Sequence, residues 1–187
     1  GSSGVINDTK DSIQANDSIQ ANDSVLLESS AGDISNSSSI TATNGSVEIN
    51  GNGDVNNTGA NISAGNNVSI TAATGTLSNS SAITAANNVS ITSTAGAVEN
   101  SSAVTASGSV EISGSNVSNS GTVTTTGGSV TISGNGSVNN SANITATGGS
   151  VEISGNGGIE NTANIEASKD VSMTASAGSI NNSSDST

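Results

Sequence analysis

The chain repeats itself about every 21 residues, and that period decides what it can fold into. The motif V-x-[IL] begins at Val25, Val47, Val68, Val89, Val110, Val130, Val151 and Val171, with Met173 closing the last copy. The steps between copies are 22, 21, 21, 21, 20, 21 and 20 residues. A second apolar anchor follows seven to nine residues later, at Ile34, Val55, Leu77, Val98, Val117, Val138, Ile159 and Ile180. Two residues beyond each of these stands an asparagine: Asn36, Asn57, Asn79, Asn100, Asn119, Asn140, Asn161 and Asn182. A third anchor comes at Ile40, Ile62, Ile83, Val104, Val123, Ile144 and Ile165. Each of those is followed two residues on by a small side chain, alanine except for Thr125.

Period two within each piece means strand, because alternate side chains of a strand face opposite ways. Gly, Asn and Ser clusters between the pieces supply corners. Three short strands per coil around an aliphatic interior predict an all-β, parallel β-helix, a β-solenoid forming one domain over residues 1–187. A right-handed helix is expected, since the left-handed hexapeptide type needs a stricter period than coils of 20 to 22 residues offer. About nine coils, at ~4.8 Å per strand, make a rod about 40 Å long. Residues 5–24 read as a degenerate first coil, with Val5, Ile13 and Ile19 as anchors, Asn7 in place of an apolar partner and Ala15 at the asparagine position. Residues 171–187 read as an incomplete last coil without a third anchor.

The asparagines fall where the alternation demands an inward side chain. Stacking sets their copies one strand spacing apart, so each amide can donate to the next carbonyl, as in cross-β ladders. A buried amide without such a partner costs on the order of 1–3 kcal/mol, so the row also penalises slips of register. A structural asparagine ladder is therefore expected, in preference to an asparagine-lined ligand site.

Composition narrows the function. The abundance of Ser, Asn, Thr and Gly would suit a disordered chain, but a hydrophobic share of 30% is set at regular places. There is no Phe, Trp, Tyr, Pro, Cys or His, so neither an aromatic-rich core, a disulfide framework nor a catalytic triad can be built. A net charge of −13, from 15 acids against Lys10 and Lys169, disfavours nucleic acid and anionic lipid as partners. No run approaches the ~18 apolar residues of a membrane span.

The line G-x-[IV]-x-N-x-x-x-[IV]-x-A-x-x-x-V-x-I, as in "GAVENSSAVTASGSVEI" and "GDISNSSSITATNGSVEI", resembles the repeats of filamentous haemagglutinins and related two-partner-secreted exoproteins. The resemblance covers residues 5 to 182. It implies a right-handed β-helix shaft of an exported bacterial surface protein, extracellular, that mediates adhesion and biofilm formation on host-cell or abiotic surfaces. The secretion domain of that family carries an N-P-N-G motif, which a chain without proline does not contain, so the likeness is to the shaft.

The two ends carry an expectation of their own, since open solenoid edges recruit strands. Four residues precede Val5 and seventeen run from Val171 to the end, together one repeat. Copies are expected to stack head to tail through Val5, Ile13 and Ile19 on one side and Val171, Met173 and Ile180 on the other, or else flanking coils of a longer shaft take that place. A heterologous contact of this kind does not close and yields a filament.

Chemistry has little to work with. Glu48, Glu111 and Glu152 sit on non-adjacent coils and face solvent, and Glu160 and Glu166 occupy different sides of one coil, so no carboxylate pair for hydrolysis is expected. "GNGD" at 51–54 and the evenly spaced Asp11, Asp17 and Asp23 could offer oxygen ligands to calcium, but corner roles are the expectation. The chain is expected to be non-enzymatic, with no cofactor and no metal. From a different class, ice binding remains as an alternative: outward pairs Thr41/Thr43, Thr124/Thr126 and Thr145/Thr147 lie on the third side, interrupted by Ser63/Gly65, Thr84/Ala86, Thr105/Ser107 and Glu166/Ser168.

Overall fold

A backbone that pairs only with the coils before and after it needs no other partner, and this chain is built that way. The computed structural model describes residues 4–8 and 12–184, the first of these segments as backbone only. Among them lie three parallel sheets and no helix. Sheet A has nine strands, from Gly4–Asp8 and Val25–Ser29 to Val171–Ala175. Sheet B has nine, from Ile13–Ala15 to Ile180–Asn182, and sheet C has eight, from Ile19–Ala21 to Ile165–Ala167. The chain visits A, B and C in turn and returns to A one layer on, so strands adjacent in a sheet are about 21 residues apart. This is the stacked β-solenoid expected from the repeat.

The register is the one the anchors dictate. Val68 pairs with Val47 and Val89, Leu77 with Val55 and Val98, Ile83 with Ile62 and Val104. Like thus sits on like, and the interior is a set of columns of Val, Ile and Leu, all nearly inaccessible between Val25 and Ile159. Sliding one coil by a single residue would turn every anchor outward, so the aliphatic columns lock the stack.

The first coil departs from its expected register. Val5 pairs with Leu26, while Gly4 faces Val25 and Ile6 faces Leu27. The step into the second coil is therefore 21 residues, in line with the rest, and Ile6 rather than Val5 shares a row with an interior aliphatic. Reading Val5 as the anchor favoured a valine over a glycine, but backbone pairing does not need a side chain at Gly4.

Strands of sheet A run five residues, not the three the motif suggests, and their fifth position is a third inward row: Ser29, Gly51, Ala72, Ser93, Gly114, Gly134 and Gly155 are all buried. The choice of residue follows the corner that comes next. Where first and second anchors are nine apart, as in Val25–Ile34, Val68–Leu77 and Val89–Val98, the fifth residue is Ser or Ala. Where the gap shrinks to seven or eight, it is Gly. A β-carbon at Gly134 would lie 2.7 Å from the Ser137 carbonyl oxygen, and one at Gly155 would lie 2.7 Å from the Gly158 carbonyl oxygen. The shorter corner folds backbone into the space a methyl group would need.

The corner from B to C is the most constant in the molecule. Second and third anchors are six residues apart in every coil but one, where Val55 and Ile62 are seven apart. The extra residue is absorbed at Gly59, whose φ of 137° is open to glycine and costly for other residues.

Candidate functional site

The inward asparagines form the most strictly repeated polar feature. Asn36 donates through Nδ2 to Asn57 Oδ1 at 2.7 Å, Asn57 to Asn79 at 2.7 Å, and Asn79 to Asn100 at 2.8 Å. The row continues through Asn119, Asn140 and Asn161 to Asn182, with no step longer than 2.8 Å. All eight expected members take part, and Asn36 through Asn161 are buried. At Asn36, Asn79, Asn100, Asn140 and Asn161 the second N–H of the amide turns back to the carbonyl two residues on, as in Asn79 to Ser81 at 2.9 Å and Asn140 to Ala142 at 2.9 Å. In those five coils one side chain thus joins two coils and also closes the B-to-C corner. This amide row is a device for stacking.

The row is finished at one end and open at the other. Ala15 stands over Asn36 in the ladder position. Asn36 Oδ1, left without an amide donor, is faced instead by the backbone N–H of Ser38 at 3.4 Å and its hydroxyl at 3.3 Å. At the far end Asn182 is exposed, and its Nδ2 meets no acceptor among the described residues.

A second row escaped sequence reasoning. The residue before each first-sheet valine is Ser24, Ser46, Asn67, Asn88, Ser109, Ser129, Ser150 and Asp170. Each side-chain oxygen accepts the backbone N–H of its equivalent in the following coil, at 2.8 to 3.3 Å, from Ser46 on Ser24 to Asp170 on Ser150. Corner N–H groups that have left the sheet ladder find their acceptors here. The signal was present, since all eight positions carry a short oxygen-bearing side chain, but such residues are common throughout. Asp33 and Asp54 act likewise at the A-to-B corner, accepting from Asp54 N–H and Thr76 N–H at 2.7 Å each. The aspartate of "GNGD" therefore does corner work.

Of the residues expected at the ends, Ile13 is buried and Ile19 and Met173 are half-buried. Val171 and Ile180 are 48% and 45% exposed, alone among large aliphatics of the described residues. The described side chains do not include that of Val5. Around Val171 and Met173 opens a notch of about 260 Å³, lined also by Asn161, Ile165, Asn182 and Ser184. It is the interior of the rod seen end-on, with strand edges Val171–Ala175 and Ile180–Asn182 unpaired on that side.

The acids are dispersed. Glu48 lies between Leu26 and Ser69, Glu111 between Ser90 and Thr131, and Glu152 between Thr131 and Ser172. Glu160 and Glu166 stand in sheets B and C. No glutamate faces a glutamate in any strand pair, so the glutamates are kept from the roughly 4.8 Å contact that stacking would impose. Asp33 and Asp54, by contrast, do stack in adjacent coils at the A-to-B corner. Among the described residues no group of three acids is placed to hold a metal ion; Asp17 and Asp23 are corner residues, and Asp11 lies outside the described residues. On sheet C, Thr84, Thr105, Thr124 and Thr145 stack in one outward column, bounded by Ser63 and Glu166. Thr43, Thr126 and Thr147 fall beyond the strand ends, in the corners. Comparison of the chain with family models, with curated proteins and with solved structures returns no match.

Proposed function

We propose that this chain is a non-enzymatic structural rod, part of an extracellular bacterial adhesin or fibre, which extends by adding coils end to end. The observation that carries the reading is the open layer at Val171–Asn182. Two strand edges, two exposed aliphatics and one amide donor face the direction in which every earlier coil meets its successor. A further β-coil, supplied by a second copy or by flanking coils of a longer shaft, would cover them by the same contacts that hold the rod. The most strictly placed side chains serve stacking rather than a pocket, which supports a mechanical role. The resemblance to haemagglutinin-type shafts supports the surface location and the adhesive context.

The test is assembly of the isolated protein. Electron microscopy and concentration-dependent sedimentation should show rods lengthening by whole-molecule steps. Val171→Glu with Ile180→Lys should keep the strand spectrum and abolish lengthening. Unassociated particles at all concentrations would overturn end-to-end growth. The column Thr84, Thr105, Thr124 and Thr145 favours the second reading, an ice-binding face, and absence of thermal hysteresis at millimolar protein would remove it.

A further inference from the structure

The chain contains five Asn-Gly steps, at Asn44, Asn50, Asn52, Asn135 and Asn156. In such a step the backbone nitrogen of the glycine can attack the asparagine Cγ. A C–N bond forms, Nδ2 leaves as ammonia, and water opens the resulting succinimide to aspartate or isoaspartate. The attacking nitrogen must be free of other bonds, and the solenoid ties up nearly all of them. Gly53 N–H donates to the Gly32 carbonyl at 3.0 Å, Gly136 to Ser115 at 2.6 Å, and Gly157 to Gly136 at 2.7 Å. Gly51 lies inside a strand paired on both sides.

Gly45 is different. It lies in the C-to-A corner between strands Ile40–Ala42 and Val47–Gly51, and its N–H meets no acceptor among the described residues. Asn44 before it is exposed, held only by its backbone N–H on Asn22 O and its Nδ2 on Asn22 Oδ1, each at 2.9 Å. From this contrast we infer that Asn44 is a self-modification site, converting spontaneously to aspartate and isoaspartate while the other four steps are protected by stacking. The ladder asparagines are shielded by the same rule, since the N–H after each of Asn36, Asn57, Asn79, Asn100, Asn119 and Asn140 is engaged with the preceding coil. Conversion at Asn44 removes the donor to Asn22 and adds a carboxylate to a corner already bearing Asp23.

The experiment ages the folded protein in warm, mildly alkaline buffer and maps peptides by mass spectrometry after cleavage at glutamate. Glu28 and Glu48 bracket Asn44 in one peptide that holds none of the other four steps. Asn44 should exchange its amide for a carboxyl roughly tenfold faster than Asn52, Asn135 or Asn156, because each of those requires a local opening of the stack first. In urea the five should converge to similar rates. Equal rates in the folded protein, or a faster site among the other four, would overturn the assignment. Asn44→Gln should abolish the signal from that peptide, and persistence of the signal would place the reaction at Asn36 instead.

Discussion

Replacing Asn100 by leucine keeps the branching of the side chain at Cγ, removes its polar groups and adds some bulk. Asn100 donates to Asn119 Oδ1 at 2.8 Å and to Ser102 O at 3.0 Å, and accepts from Asn79 at 2.8 Å. Asn79 would keep its bond to Ser81 O, so one of its two N–H groups is stranded, while Asn119 Oδ1 loses its ladder donor. Each stranded buried group costs about 1–3 kcal/mol, and burial of the leucine offsets about 1.5–3 kcal/mol. The net expectation is destabilisation of roughly 1–3 kcal/mol, which for a chain of this length lowers the melting temperature by about 2–12 °C. Asn36→Leu breaks only one ladder bond, because Ala15 already stands on its other side, so the same burial of leucine offsets most of its cost and the net loss should be about 0–1 kcal/mol. With no aromatic residue to report by fluorescence, urea and thermal melts followed by far-UV circular dichroism are the assay. An unchanged melt for Asn100→Leu, or equal losses at Asn100 and Asn36, would refute the claim that bonding along the row stabilises the stack.

Two further perturbations separate local causes. Gly134→Ala should cost about 1–3 kcal/mol, as its methyl group meets the Ser137 carbonyl, whereas Ala72→Gly, before a longer corner, should cost no more than about 1 kcal/mol in the same melts. Ser109→Ala removes the acceptor of the Ser129 N–H, so that amide should exchange hydrogen faster while the strands around it keep their protection.

How far the sequence could be read depends on contrast. Val, Ile and Leu stand out against Ser, Asn and Gly, so the three anchors and the spacing of the coils were legible without coordinates. The asparagine row was legible because Asn161 and its equivalents occupy places where the zigzag demands an apolar residue. The fifth row of sheet A was not, because Gly51, Ala72 and Ser93 share no type, and what they have in common is the space left by the next corner. The acceptor row from Ser24 to Asp170 was hidden because its members look like any corner residues in a chain so rich in Ser and Asn. The misplaced register at Val5 has the same origin: at Gly4 the position is defined by backbone pairing alone.

The asparagine row also has a direction. Every amide from Asn36 onward hands its hydrogen toward the C-terminal layers, so the side-chain dipoles add rather than cancel. Backbone amides of the strands alternate in sense along the axis, which leaves a sheet with little net moment. The carboxamide file therefore gives the shaft an electrical polarity, much as aligned peptides do for a helix. One terminus is oxygen-tipped and muted by Ser38, while the other is hydrogen-tipped and open at Asn182, so a rod of this kind has a built-in front and back.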